Sequence, residues 1–212
     1  MIDIKNKIIL ASSSPRRRML LNQVGLEFTV KTADIDETMD AHLLKTQGMD
    51  EALADVAHRK GAEVLRLMRL LEEKEWSNDI RIVSADTIVC MDGAVFGKPH
   101  DEDEAAFMLK RISGNRHFVK TGVCVIDGFT GGFVTGTQTT AVHISPISDE
   151  DILEYIRTGE PMDKAGAYAA QGIGARFVRG IEGCFYNVVG LPLGMMFDLF
   201  GKLEKLNEVE NK

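Results

Sequence analysis

Apolar positions recur along this chain with two different periods. Ile8, Ile9 and Leu10 make a short continuous run that suits a buried strand, and Met19, Leu20, Leu21 and Val24 then recur at helical spacing. Between them, Ser12, Ser13 and Ser14 supply hydroxyls able to cap a helix, Pro15 suits the first helical position, and Gly25 stands where a left-handed C-terminal cap belongs. The opening is therefore strand, turn, helix. LEFTVKTADID, from residue 26, reads as a strand running into an acidic loop. A long amphipathic helix follows over roughly 50–75, with Gly61 a weak point inside it.

Further on, IRIVSADTIVCMDGAVF predicts a buried strand and a hairpin, turned by Asp92 and Gly93. KPHDEDEAAFMLKRISG predicts a loop and a helix with acids in its first turn and Gly114 at its end. HFVKTGVCVIDGFTGGFVTGTQTTAVHISPI predicts two strands around a Gly-rich turn. Ser148 and Asp151 suit a capping box for the helix DEDILEYIRTG. A Gly-rich segment, AGAYAAQGIGARFVRGIEG, then precedes a predicted strand FYNVV and a last helix over about 193–205. The fold class expected is α/β, a mixed twisted sheet with flanking helices. We read a single domain over 1–212, with a core from about 7 to 205 and a frayed charged tail at 206–212.

Composition narrows the chemistry. Of 212 residues 44% are apolar and 27% charged, the balance of a globular protein, and the net charge of −7 argues against a broad nucleic-acid or anionic-membrane surface. No apolar run approaches a bilayer span and MIDIKNK lacks the core of a signal peptide, so a cytoplasmic protein with a small-molecule partner is expected. Cys90, Cys124 and Cys184 are odd in number and form no CxxC, which disfavours a disulfide framework and a zinc site.

Against that background a few charged residues stand out. Arg16, Arg17 and Arg18 crowd the positive end of a helix dipole, which disfavours cations by roughly 0.3–1 kcal/mol each. An anion bound by free N–H groups and guanidinium forks would resolve this, and so would solvent or nearby carboxylates. Asp86 interrupts an apolar strand and needs a partner: backbone N–H groups at a strand end, or a metal or proton-transfer role. Asp34, Asp36 and Glu37 form either a solvated loop or carboxylates for a hard cation such as Mg²⁺. Lys98, in FGKPH, is suited to reach a phosphate, whereas Lys60, on the long helix, suits solvent as well as a site. There is no HxxxH, no GxSxG, no GxxxxGK[ST] and no GxGxxG; QGIG offers only a GxG, which marks a turn more often than a nucleotide site.

ASSSPRR, DIDE, SADTIV with GKP beyond it, EPMDKAGAYAAQG and NVVGLPL occur here in one order, and together they resemble the Maf family of nucleoside triphosphate pyrophosphatases over about residues 7–200. The resemblance implies an inosine triphosphatase-like α/β fold with two lobes around a cleft and a homodimer. It also implies metal-dependent hydrolysis between the α and β phosphates, giving nucleoside monophosphate and pyrophosphate. Asp86 matches the catalytic aspartate, with Lys98 and Lys60 as further catalytic lysines. Ser14, Arg16 and Arg17 match the triphosphate-holding segment, and Asp36 with Asp86 matches the metal site. Arg16, Thr87 and Gln171 match the branch acting on dTTP and UTP. Chemistry agrees, since a carboxamide offers both an acceptor and donors to the N3–H and carbonyls of uracil or thymine.

The expectation is thus a triphosphate lying across the helix start at Pro15, with Mg²⁺ or Mn²⁺ at Asp86 and Asp36, and a water attacking phosphorus without a covalent enzyme intermediate. Two other readings stand beside it. One is a pyrophosphatase for modified or purine nucleotides, the other a non-enzymatic nucleotide-binding regulator of septum formation.

Overall fold

The computed structural model describes residues 7–71 and 79–210. The described strands are β1 (Lys7–Leu10), β2 (Phe28–Val30), β3 (Ile80–Met91), β4 (Ala94–Phe96), β5 (Arg116–Asp127), β6 (Phe133–Ile144) and β7 (Val178–Glu182). The helices are α1 (Pro15–Gln23), α2 (Ala41–Thr46), α3 (Met49–Leu70), α4 (Glu102–Ile112), α5 (Asp149–Arg157), α6 (Phe185–Val189) and α7 (Leu193–Glu210). The strands form a mixed sheet in the order β2-β1-β3-β5-β6-β7, with β4 paired to β3. The chain divides into two compact units, one from 1–86, 121–138 and 190–212, the other from 87–120 and 139–189.

In the first unit β1 pairs in parallel with β2 on one side and β3 on the other, Ile9 lying opposite both Thr29 and Ile82. Parallel neighbours need crossover connections, and here α1 leads from β1 to β2 while α2 and α3 lead past β1 to β3. The chain therefore leaves the β1–β3 boundary in opposite directions. In such sheets the carboxyl ends of the strands at that boundary are left open for a ligand. Ala57, Val64, Leu65 and Met68 of α3 pack with Ile9, Ile80, Ile82, Cys124 and Ile126. Gly61 lies at the closest approach, because a Cβ there would fall 2.7 Å from Ser84 Oγ and 2.8 Å from Ile126 Cδ1.

In the second unit Val89 and Phe96 share a core with Met108, Leu109 and Ile112 of α4 and Ile152, Tyr155 and Ile156 of α5. The β3–β4 hairpin turns as its sequence predicts, with Asp92 and Gly93 both left-handed at φ 50° and 77°. Ser148 caps α5 by accepting the Asp151 N–H at 3.1 Å. Its hydroxyl donates to the Asp151 carboxylate at 2.6 Å, so the reciprocal half of the predicted box is made between side chains.

Five elements differ from the sequence reading. FYNVV is the helix α6, not a strand. One turn of helix buries Asn187, whose amide donates to the Val119 carbonyl at 3.0 Å and Thr140 Oγ1 at 2.9 Å. The strand after residue 26 is only Phe28–Val30, and α2, capped by Asp40, was not foreseen. The Gly-rich segment contains β7, held against β6 by pairs such as Val142 with Ile181. The last helix runs to Glu210. The final turn predicted for the long helix, 72–75, lies outside the described residues.

Candidate active site

At the end of β1 the chain passes through the three serines into α1. Ser14 is the N-cap, its backbone extended and its Oγ accepting the Arg17 N–H at 3.5 Å, while its own N–H donates to Ser12 Oγ at 3.3 Å. Arg17 is 8% exposed and curls back on this loop, Nη1 donating to Ser12 Oγ at 3.0 Å and Nε to the Gly190 carbonyl at 2.8 Å. Arg18 Nη2 donates to the Ser13 carbonyl at 3.2 Å. Part of the arginine cluster is thus explained by the loop's own oxygens. Burial pulls the Arg17 pKa down; Asp86 opposes that shift, Arg16 adds to it, and Glu37 opposes it. Arg16, Asp86 and Glu37 therefore all lie within electrostatic reach of Arg17.

Lys60 joins the two acids. Its Nζ donates to Asp86 Oδ1 at 2.7 Å and pairs with Glu37 Oε1 at 2.9 Å, with the Lys60 and Asp86 side chains 14% and 15% exposed and that of Glu37 60%. The helical lysine is thus turned to Asp86 and not to water. Asp86 sits three residues past Val83, whose carbonyl accepts the Ala11 N–H, so it lies on β3 beyond the carboxyl end of β1.

The acidic loop is anchored to α3 by Arg59. Its guanidinium pairs with Asp55 at 2.7 Å and donates to the carbonyls of Asp36 and Thr38, the latter at 2.8 Å. Asp36 turns its own Oδ1 to the Thr38 N–H at 2.8 Å, and its bonds with Thr38 lower its pKa. Asp36 is exposed, and Glu37 is the acid of this loop that reaches Lys60. The acidic cluster expected from sequence includes Glu37, although the metal role is expected there for Asp36; Arg59, Gly190 and the bond of Ser12 to Arg17 have no counterpart in that reading. The usable signal was position alone, one residue further along the loop.

In the second unit Lys98 is exposed and follows Gly97, whose carbonyl accepts the Gly166 N–H at 3.0 Å. That bond ties GKP to the AGAY turn, where Gly166 is left-handed at φ 70° and closely faces Val89. Thr87, the residue after Asp86 in β3, and Gln171 are both half-buried.

Among the described residues no group of three or more His, Cys, Asp or Glu is gathered as a metal site. Asp86 and Glu37 nevertheless offer hard oxygen donors around one ammonium. That suits Mg²⁺, which takes one or two protein carboxylates and completes its shell with water and substrate phosphate. Nor, among the described residues, is any helix long and apolar enough to cross a membrane.

A lysine bridging two acids beside an arginine-rich helix start, on a parallel βαβ arrangement, gathers cations and hydrogen-bond donors suited to an anion such as phosphate. The chain belongs to the Maf-like protein family, which it matches over residues 7–203. It is 46% identical over 197 residues to the dTTP/UTP pyrophosphatase of Caldicellulosiruptor saccharolyticus, covering 93% of this chain and 94% of that one. It is 44% identical over 196 residues to that of Pelotomaculum thermopropionicum (92% and 96% covered) and 39% identical over 199 residues to that of Bdellovibrio bacteriovorus (94% and 100%). Among solved structures it is similar to the Staphylococcus aureus Ham1 protein, with a TM-score of 0.46, 12% identity, and 81% and 79% of the two chains covered.

Proposed function

We propose that this protein is a pyrophosphatase of dTTP and UTP, releasing the nucleoside monophosphate and pyrophosphate. The observation that carries the reading is the Lys60 ammonium shared by Asp86 and Glu37, two acids that both lie within electrostatic reach of Arg17. Relatives at 39–46% identity, named dTTP/UTP pyrophosphatases, support it.

In the mechanism we infer, Arg16, Lys60 and Lys98 neutralise phosphate oxygens. Arg17 and Ser14 act on the substrate indirectly, by shaping the loop. Asp86 accepts the proton of a water that adds to the α-phosphorus as the bond to the bridging oxygen breaks, so pyrophosphate leaves and no covalent enzyme intermediate forms. Lys60 orients the Asp86 carboxylate for that step. Positioning and charge stabilisation then supply most of the rate. Mg²⁺ or Mn²⁺ would be held by Asp86 with Glu37, in place of Asp36, and would supply charge neutralisation to the phosphate oxygens. Thr87 and Gln171 select the base, the Gln171 carboxamide offering its oxygen to N3–H and its amide to the 4-carbonyl. We further propose a cytoplasmic homodimer.

Pyrophosphate release from UTP, dTTP, CTP and 7-methyl-GTP tests the reading. Turnover of UTP and dTTP above the others is expected, and no turnover of any of them would refute it. Asp86→Asn is expected to lower kcat by about 10²–10⁴, the usual contribution of a positioned proton acceptor, with an unchanged circular-dichroism spectrum.

A further inference from the structure

The GxG of QGIG holds an anion, and the anion is the chain's own. After α5, Gly159 turns left-handed at φ 74° and delivers Glu160 to the segment that carries Gln171. Glu160 Oε2 accepts the Ile173 N–H at 3.0 Å, and Oε1 accepts the Gly174 N–H at 2.9 Å and the Tyr155 hydroxyl at 2.8 Å. The Tyr155 oxygen in turn accepts the Ala169 N–H at 3.2 Å, and its ring is fully buried. Successive backbone N–H groups around one carboxylate are a nest. Only glycines fit it, because a Cβ at Gly172 would come within 2.5 Å of Glu160 Oε2 and one at Gly174 would collide with Tyr155 Oη. Burial opposes the charge on Glu160, yet the bonds from Gly174, Ile173 and Tyr155, with Lys164 nearby, leave its pKa lowered.

Gln171 is therefore pinned on both sides, at Ala169 before it and at Ile173 and Gly174 after it. We propose that Tyr155 and Glu160 are positioning residues for base selection, fixing this backbone so that the Gln171 carboxamide keeps one orientation toward the base. The inference rests on the assignment of Gln171 made above. Orientation matters because a carboxamide is polar end to end. Turned over, the same group presents donors where uracil needs an acceptor, and it matches cytosine, which carries a ring nitrogen acceptor at N3 and an amine at C4. A loosened loop thus loses discrimination between UTP and CTP before it loses the capacity to hydrolyse either.

The experiment measures kcat and KM for UTP and CTP in the wild type, Glu160→Gln, Gln171→Ala and the double variant. A carboxamide at 160 has one oxygen for two N–H groups, so Glu160→Gln is expected to lower the UTP:CTP ratio of kcat/KM about tenfold, chiefly through KM for UTP, as the loss of one oriented hydrogen bond would. In the Gln171→Ala background the same change is expected to leave the ratio where it was. Tyr155→Phe, which keeps the buried ring and removes the hydroxyl, is expected to act in the same direction, and amide exchange over 168–175 is expected to quicken in both variants. An unchanged ratio in Glu160→Gln and Tyr155→Phe while Gln171→Ala abolishes it would overturn the proposal. An equal loss on both nucleotides that persists without Gln171 would do so too, by assigning a general structural role. If the wild type releases no pyrophosphate from UTP, or Gln171→Ala leaves the ratio intact, the functional assignment itself fails and takes this inference with it.

Discussion

Asp36 and Glu37 are adjacent acids with opposite fates. Asp36 is used locally, its oxygen accepting from Thr38, while Glu37 meets Lys60 at 2.9 Å. Glu37→Gln is accordingly expected to lower kcat/KM on UTP at least about tenfold, since an ionised partner is replaced by a neutral one. Asp36→Asn, which can still accept from Thr38, is expected to stay within about twofold by the same reasoning. Equal effects in the pyrophosphate assay would return the role to Asp36. Charge in an apolar strand made Asp86 legible from sequence, because a buried carboxylate needs a partner. That Lys60 is this partner was not legible, since a helical lysine usually faces water. Arg17 was legible as an anomaly but not in its resolution, because Gly190, which binds its Nε, is 173 residues away in the chain.

Among the elements, periodicity identified α1, α3, α4, α5 and α7 and the long strands, whose apolar faces are long enough to be unambiguous. It failed on FYNVV, where a five-residue apolar run fits strand and helix equally and the buried Asn187 amide decides. Gly61 shows the same division. As a glycine inside a helix it reads as a local weakness of about 1 kcal/mol relative to alanine. Its tertiary surroundings reverse the sign, with Ser84 Oγ 2.7 Å from where a Cβ would stand. Gly61→Ala is therefore expected to destabilise the protein by about 1–2 kcal/mol, overpacking exceeding the gain in helix propensity. Gly201→Ala in α7, where a Cβ meets nothing within 4 Å, is expected to stabilise by up to about 1 kcal/mol. Urea denaturation of the two variants reads both signs, and a stabilised Gly61→Ala would contradict the packing argument.

For the molecule as a whole, a buried histidine sets part of the response to acid. His117 is fully buried, its Nε2 2.8 Å from Tyr168 Oη and its Nδ1 without a hydrogen-bond partner. Burial, with a smaller push from His143, drives its pKa down from 6.5 to about 4. The unfolded chain then takes up a proton at this histidine before the folded one does. The stabilisation is complete above pH 6.5 and is lost as pH falls through that value toward about 4, to a total of roughly 3 kcal/mol. Unfolding free energy measured against pH is expected to fall across this window in the wild type. The fall should be shallower by about that amount in His117→Asn, and parallel curves would refute the assignment.

The long strands and helices, the mixed sheet and the residues able to carry phosphate chemistry follow from the chain itself, because hydrophobic period, caps and isolated charges are local properties of a sequence. Which acid faces Lys60, what Arg17 grips and what fills the glycine nest beside Gln171 were decided only by the tertiary structure. The bonds of Lys60 to Glu37, of Arg17 to Gly190 and of Glu160 to the nest join residues 13 to 173 apart in the chain. The energy of such a contact depends on distance and burial, which no local pattern encodes.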